Sequence, residues 1–227
     1  MNNIYKLFYG ILLISTITIS SILLDMGNIA TIAMVLNVGC VILVAMRHYA
    51  ANMVGVFGAI LYGIVSYNWG LYGEAGLNIL YFAPLHLFAA FAWLYKRETI
   101  NNTEQSSMVV VNSLSLRQWG LFLALLISLI IGINIVLSWL NGNLTIIDSI
   151  TTSLSIVAMY LLVNRYREQW IFWIAVNIAS IVMWLLVFFQ NPVINQEAIG
   201  LMLMWSVFLI NSIYGCYQWY KTIVPHY

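Results

Sequence analysis

The chain has 227 residues, of which 63% are hydrophobic and only 7% charged, and its mean hydropathy is +0.94. A water-soluble globular domain does not carry so much apolar surface, so the composition indicates an integral membrane protein. The formal net charge of +1 at pH 7 gives no reason to expect nucleic acid or an acidic substrate as a partner.

Apolar segments long enough to cross a membrane occur along the whole chain. A helix that crosses the hydrocarbon core needs about 20 mostly apolar residues, and the chain has eight such runs. The first run follows Lys6 and is long for the core of a signal peptide, so we expect an uncleaved helix there. The eight predicted spans are 5–24, 28–46, 51–68, 75–95, 119–140, 148–164, 169–189 and 198–220.

The charged residues predict the orientation of these spans. Threading the chain through eight spans places every Lys and Arg on one side of the membrane. Because Lys and Arg accumulate in cytoplasmic loops, we expect both termini to be cytoplasmic. We expect the loops on the other side to carry acidic residues and no basic residue; these acidic residues are Asp25, Glu74, Asp148 and Glu197.

Two stretches of the chain, 28–98 and 148–221, share one order of features. The turn "AMRHYAANM" (45–53) is similar to "VNRYREQWI" (163–171), and Glu74 corresponds to Glu197. Each stretch contains three spans that run from the outside to the inside. Two three-helix units can both run from the outside to the inside only if an odd number of spans lies between them. The single span at 119–140 lies between these two units. The sequence therefore predicts an all-α membrane protein with two parallel three-helix repeats in a 3+1+3 arrangement.

This arrangement defines the predicted segments of the chain. Parallel repeats related by an axis along the membrane normal are a transporter architecture, with the substrate site between the halves. A duplicated helical bundle without a transport pathway is the alternative. The segments are an extra N-terminal transmembrane helix (1–27), a first repeat (28–98), a cytoplasmic loop (99–118), a linker transmembrane helix (119–147), a second repeat (148–221) and a cytoplasmic tail (222–227).

The segment "WIFWIAVNIASIVMW" (170–184) carries the most distinctive polar residue, Asn177. At about 100° per residue, Trp170, Trp173, Asn177 and Trp184 fall within an arc of about 60°. An unpaired amide in hydrocarbon is costly, so Asn177 faces protein, water or ligand. We predict that this face binds a ligand. The alternatives are an Asn that hydrogen-bonds across helices, and Trp170 and Trp184 as anchors at the membrane interface.

Two other predicted helices carry polar and aromatic faces that we expect to bind substrate. In the last helix, Asn211, Tyr214 and Gln218 have the spacing i, i+3, i+7, and Gly215 lets a neighbouring helix approach closely. The third helix of the first repeat has a similar set, and a proline that we expect to bend it. Its histidine is either a gating or ligand-binding residue or a satisfied interior residue. These residues are Asn78, Tyr81, His86 and Pro84.

The composition of these faces predicts the chemistry of the ligand. Aromatic, amide and hydroxyl groups, without a charged residue at any span centre, suit a neutral or cationic aromatic ring that carries hydroxyl groups. Phosphate would call for Arg, Lys or a helix N-terminus. The missing central carboxylates favour passive movement over an ion-driven pump. No paired carboxylates or His/Cys spacing suggest catalysis, so we expect no enzyme, metal or cofactor.

The stretch "DSITTSLSIVAMYLLVNRYREQWIFWIAVNIASIVMW" in the second half of the chain contains a W-x-x-x-N motif at Trp173 and Asn177. On this stretch most strongly, the chain resembles the PnuC family of bacterial vitamin transporters. The resemblance is weaker in "GVFGAILYG" and "LYGEAGLNILYF" of the first repeat, and it extends from about Asn28 to Lys221. Gly58 stands where family members often have Asn, so we assign no binding role to that position.

The resemblance implies a fold like that of the SWEET sugar transporters and uptake of nicotinamide riboside by facilitated diffusion. It implies that a cytoplasmic kinase phosphorylates the product for NAD biosynthesis and so traps it. It also implies a substrate site at Trp173 and Asn177 and a homotrimer surrounded by lipid in the bacterial inner membrane. Thiamine and riboflavin, which relatives of the family carry, are alternative substrates. A structural membrane protein that binds no vitamin is a further alternative.

Overall fold

The computed structural model describes residues 15, 18–45, 50–100, 112–164, 166–190 and 196–221. Within these ranges the side chains are described except at 44, 45, 92–100, 163, 218, 219 and 221. The regular structure of the described residues is helical, apart from one isolated backbone bridge between Asn112 and Tyr166. The all-α class expected from the sequence is confirmed.

The described residues form a series of long helices joined by short turns. Residues 72–100 form one continuous helix, because the junction residues Leu77 and Ala83 both have right-handed helical backbone angles. A π-helix, with one wider turn, lies inside it. The elements are α1 (Asn28–Ala45), α2 (Ala50–Asn68), α3 (Tyr72–Gly76), π1 (Leu77–Phe82), α4 (Ala83–Ile100), α5 (Leu116–Trp139), α6 (Thr145–Val163), α7 (Gln169–Gln190) and α8 (Gln196–Lys221).

Six helical stretches in the described part of the chain are long and apolar enough to cross a bilayer, and α1 is a shorter apolar helix. These seven correspond to the predicted spans from 28–46 onward. The first predicted span, 5–24, lies outside the described residues except at 15 and 18–24, where residue 15 and residues 18–23 are helical. The six stretches are Ala50–Asn68, Tyr72–Phe91, Leu116–Trp139, Thr145–Leu162, Gln169–Gln190 and Gln196–Tyr217.

The acidic residues show one clear difference from the sequence prediction. Glu74, Asp148 and Glu197 do not lie in loops but in the first turns of α3, α6 and α8. Glu74 and Asp148 are also buried, with 1% and 0% of their surface exposed. A carboxylate is favourable at a helix start, because the first backbone N–H groups lack partners and carry partial positive charge. The prediction of loop positions was therefore wrong for these three residues.

The helices pack as two groups of three. We call α1, α2 and the helix 72–100 the N-terminal unit, and α6, α7 and α8 the C-terminal unit. Consecutive helices pack against each other within each unit, while α1 contacts α8 and α3 contacts α6 between the units. The main core lies where α1, α2, α7 and α8 meet. Helix α5 packs against α6 and exposes most of its apolar side chains, as a helix in contact with lipid would.

A close contact between α1 and α2 depends on Gly58. The side-chain nitrogen Nδ2 of Asn37 donates hydrogen bonds to the carbonyl oxygens of Gly58, at 2.9 Å, and Ala33, at 2.8 Å. A Cβ atom at Gly58 would lie 3.0 Å from Oδ1 of Asn37 and 3.2 Å from its backbone nitrogen. A larger residue at 58 would therefore push the two helices apart, because backbone cannot move aside as a flexible side chain can.

We expect Gly58→Val to lower the free energy of unfolding by about 1–3 kcal/mol, the usual cost of overpacking a well-packed contact. Thermal unfolding of the detergent-purified protein measures the effect. Gly132→Val is the matched control, because nothing lies within 4 Å of a Cβ atom at that position of α5. Equal losses in both variants would contradict the close-contact explanation, because valine has a higher helix propensity than glycine and only the contact at position 58 predicts a loss.

Candidate functional site

The two units meet at an aromatic contact between Trp173 of α7 and Phe82 of π1. The ring centroids are 6.3 Å apart, the planes are inclined by 44°, and both side chains are only partly buried. Tyr81 lies beside this pair, with its ring centroid 5.7 Å from that of Phe82. Phe82 ends the π-helix, whose wider turn changes the direction of the side chains relative to a regular α-helix. Pro84, which has no N–H group, lies two residues after Phe82.

One turn further along α7, Asn177 makes a hydrogen bond to α8. Its Nδ2 atom donates to Oγ of Ser212 over 2.8 Å, and both side chains are buried. The interhelical hydrogen bond that we considered as the alternative for Asn177 is therefore present. The amide of Asn177 also has a second N–H donor and an acceptor oxygen, and its role in binding a ligand stays a prediction. The neighbouring Asn211 is half-buried.

Trp184 lies in a separate aromatic cluster. It has no exposed surface, and its indole Nε1 donates to the hydroxyl oxygen of Tyr62 over 3.0 Å. Trp205 of α8 donates to the same hydroxyl, also over 3.0 Å. The rings meet edge to face, as aromatic pairs prefer. Trp184 is therefore an interior residue and not an anchor at the membrane interface, and a ligand could contact it only after the cluster opened.

The remaining α7 residue, Trp170, packs its ring directly against Gly215 of α8, and a Cβ atom at Gly215 would overlap that ring. The close approach of a neighbouring helix that we expected at Gly215 is thus made by the indole ring of Trp170. Tyr214 is exposed, with 41% of its surface accessible. The side chain of Gln218 lies outside the described residues. Asn211 and Tyr214 thus differ in burial, and the role of all three predicted residues of the last helix in binding stays a prediction.

Two polar residues of the first repeat have interior partners. Nδ2 of Asn78 donates to the backbone oxygen and a carboxylate oxygen of Glu74, at 2.9 and 3.3 Å. Nδ1 of His86 lies 3.2 Å from Oδ1 of Asn52 and donates to it, because an amide oxygen only accepts. Gly55 makes room for this histidine, since a Cβ atom there would lie 2.8 Å from Nδ1. These contacts fit the interior alternative for His86, and ligand roles for both residues stay predictions.

The structure thus places the predicted residues in different parts of the bundle. Trp173 and Tyr81 both lie beside Phe82, and Asn177 follows one turn after Trp173 on α7. Trp184, Asn78 and His86 lie in other clusters. Two residues at the central contact were missed by the sequence analysis, Phe82 and Ser212. Each follows a predicted residue directly in the chain. Phe82 lies in π1, which breaks the regular 100° periodicity, and Ser212 lies about 100° around α8 from the face predicted at Asn211.

Known proteins are similar to this chain over most of its length. The family model described as nicotinamide mononucleotide transporter matches residues 27–221. The nicotinamide riboside transporter PnuC of Neisseria mucosa is 34% identical over 201 residues, which cover 87% of this chain and 74% of the relative. The protein of the same name from Haemophilus influenzae is 27% identical over 198 residues, which cover 86% and 80%.

A solved structure is also similar. The crystal structure of the vitamin B3 transporter PnuC has a TM-score of 0.75 and 28% sequence identity, and the match covers 97% of this chain and 92% of the other. The family resemblance inferred from the sequence motifs is confirmed by these matches.

The hydrogen bond between Asn177 and Ser212 can be tested by its contribution to stability. We expect Ser212→Ala to lower the free energy of unfolding by about 1–3 kcal/mol, because a buried amide loses its partner. Ser206→Ala is the matched control on α8, since Oγ of Ser206 bonds only to the carbonyl oxygen of Met202 in its own helix. Thermal unfolding in detergent compares the two variants, and a loss for Ser206→Ala as large as that for Ser212→Ala would refute the expectation.

Proposed function

The chain belongs to the nicotinamide mononucleotide transporter family, and from this membership and the central contact we propose that it carries nicotinamide riboside across the bacterial inner membrane. The observation that carries the proposal is the pair of Trp173 and Phe82, which face each other from the two units beside Asn177. The names of the similar proteins from Neisseria mucosa and Haemophilus influenzae support the same substrate.

The aromatic pair has dimensions that suit a flat ring. A ring that stacks on both faces needs about 7 Å between its two neighbours, because carbon atoms in contact lie about 3.5 Å apart. The centroids of Trp173 and Phe82 are 6.3 Å apart, so a small separation and rotation of the two rings would admit a third. The pyridinium ring of nicotinamide riboside is a cation, which the faces of Trp and Phe attract. Asn177 can then bind a hydroxyl or carboxamide group of the ligand.

The placement of charge favours the riboside over its phosphorylated form. No Lys or Arg occurs in 51–91, 119–163 or 168–220, the stretches that contain the central contact. A phosphate group brought there would lose its hydration without gaining a cationic partner, which costs several kcal/mol. We therefore propose that the mononucleotide is excluded, although the description of the family names it.

The same features favour facilitated diffusion. Three carboxyl residues are buried in the described part of the chain, Glu74, Asp148 and Glu168. The first two are hydrogen-bonded at helix starts, and Glu168 forms an ion pair with Arg167, so their partners are not the aromatic pair. A carrier without ion coupling only equilibrates its substrate, so net uptake requires that the product be removed. We propose that a cytoplasmic kinase phosphorylates the riboside for NAD biosynthesis, which adds negative charge and prevents return through the same site.

Packing between the units supports the proposed 3+1+3 architecture. The first helix of the N-terminal unit contacts the third of the C-terminal unit, and the third of the N-terminal unit contacts the first of the C-terminal unit. A two-fold relation between parallel repeats would produce this reciprocal pattern. With α5 as the linker and the predicted helix at 5–24 as an eighth span, the distribution of Lys and Arg puts both termini in the cytoplasm. The homotrimer remains an expectation from the family resemblance.

Removing either aromatic ring of the pair, Trp173 or Phe82, should weaken binding of the riboside. We expect Trp173→Ala and Phe82→Ala each to raise the Kd for nicotinamide riboside by roughly 10- to 100-fold, because each loses a buried aromatic contact. Quenching of tryptophan fluorescence or calorimetric titration of the purified protein measures this. Trp139→Ala is the control, since that indole is 88% exposed at the end of α5. Unchanged binding by both site variants would remove the basis of the proposed site.

A panel of ligands tests the substrate itself. We expect nicotinamide riboside to bind at least about 100-fold more tightly than its mononucleotide, because the phosphate lacks a cationic partner. Thiamine and riboflavin belong in the same titration as the alternative substrates. Tighter binding of either vitamin would replace nicotinamide riboside as the substrate, and equal binding of riboside and mononucleotide would contradict the argument from charge. Saturable uptake into proteoliposomes then distinguishes transport from binding alone.

A further inference from the structure

Five hydrogen bonds join the N-terminal and C-terminal units near one end of the bundle. We call it the capped end, because α3, α6 and α8 all begin there. Under the proposed topology it faces the outside. The bonds form two layers, an outer one that contains Asp148 and an inner one that contains Tyr62.

In the outer layer, Asp148 of the C-terminal unit binds the start of α3 in the N-terminal unit. Its two carboxylate oxygens accept hydrogen bonds from the backbone nitrogens of Gly73 and Glu74, each over 2.8 Å. Such bonds are stronger than neutral ones, because the acceptor is charged and the donors are the unpaired N–H groups of a helix start. At the rim, the indole Nε1 of Trp69 donates to Glu197 over 3.1 Å.

In the inner layer, the hydroxyl oxygen of Tyr62 accepts hydrogen bonds from Trp184 and Trp205. Tyr62 and Trp184 each lie six residues before the last residue of their helix, which places them roughly 9 Å below the capped end at 1.5 Å per residue. All three side chains are buried. Opening a path between the units at this level would remove three polar groups from their partners, so water or ligand would have to replace both bonds.

Two polar pairs of the described residues that lie farther from the capped end each belong to a single unit. His86 binds Asn52 within the N-terminal unit, and Asn177 binds Ser212 within the C-terminal unit. The contact that crosses between the units at the candidate site is the aromatic one between Trp173 and Phe82. Aromatic surfaces can separate without leaving a buried donor or acceptor unpaired, whereas the bonds at the capped end cannot.

We propose that the Asp148 and Tyr62 layers form a latch that closes the capped end, and that exposure of the site on that side requires the latch to break. This inference rests on the proposed transport function, since a carrier must open its site to each side in turn. At the candidate site the described contact between the units is aromatic, so breaking the latch adds a free-energy cost that is specific to opening on the capped side.

A cysteine reporter beneath the outer layer tests the latch. Ser66 is fully buried, lies one turn from Tyr62 toward the capped end, and is replaced as Ser66→Cys in a background of Cys40→Ser and Cys216→Ser. The purified protein in detergent is treated with a bulky hydrophilic maleimide. We expect Tyr62→Phe or Asp148→Asn to raise the rate of labelling by about tenfold, the effect of losing one or two hydrogen bonds of ordinary net strength.

Ser128→Ala is the matched control, because it removes a hydrogen bond from α5, outside the latch, and should leave the labelling rate unchanged. Gel filtration checks the fold of each variant. If both latch variants misfold, Trp69→Phe replaces them, since it removes only the hydrogen bond at the rim. Unchanged labelling in folded latch variants overturns the proposal, as does fast labelling of the reporter without any latch substitution.

Titration of nicotinamide riboside in the same preparations separates this inference from the proposed function. Riboside binding together with unchanged labelling in the latch variants refutes the latch and leaves the proposed substrate intact. Faster labelling in a protein that binds no riboside supports the latch and refutes the proposed substrate.

Discussion

A polar group inside a lipid-covered bundle must find its hydrogen-bond partner in the protein, because lipid offers none. In this chain that requirement fixes how the helices meet. Asn37 binds the backbone of α2 at Gly58, Asn177 binds Ser212 of α8, and Asp148 binds the start of α3. Apolar side chains on these helices could pack in several registers, but each of these bonds forms in one register only, so a few polar atoms select a single arrangement of mostly apolar helices.

The kind of contact changes along the interface between the two units. At the capped end it is polar, directional and buried, with Asp148 and Tyr62 as acceptors. At the level of Trp173 and Phe82 it is aromatic and partly buried. An aromatic contact can exchange its partner ring for a ligand ring with little loss of interaction, whereas a buried hydrogen bond needs a replacement of matching geometry. A binding site at the aromatic level is therefore compatible with firm attachment of the units elsewhere.

The sequence was sufficient for the helices and the family, but only partly so for the site. The thickness of the bilayer fixes the length of an apolar run, so the spans from α1 to α8 could be located from composition alone. The W-x-x-x-N motif at Trp173 and Asn177 carried the family resemblance. Phe82 could not be found from the sequence, because no residue spacing predicts a π-helix. Tyr62 could not be found either, because its hydroxyl accepts hydrogen bonds from two indoles that are more than 120 residues away in the chain.

The acidic residues show the same limit in another form. Counting charges on the two sides of the membrane places Glu74 and Asp148 on one side, but it does not measure their depth. Their burial follows from tertiary structure: the unpaired N–H groups at the start of α3 are good partners for Asp148, and only the folded bundle brings α6 to that position. A charge pattern thus predicts orientation across the membrane but not which charged groups become part of the packing.

No Lys or Arg occurs in 51–91, 119–163 or 168–220, and this distribution of charge bears both on which substrate is carried and on the direction of net transport. A passive carrier that bound the riboside and its phosphate equally would release the phosphorylated product as readily as it admitted the substrate. In the proposed function, a site that offers aromatic faces and an amide, without a cation, suits the riboside and leaves a phosphate unpaired. Phosphorylation inside the cell then removes the molecule from the exchange. In the proposed function, net uptake therefore depends on the charges that the site lacks as much as on Trp173, Phe82 and Asn177.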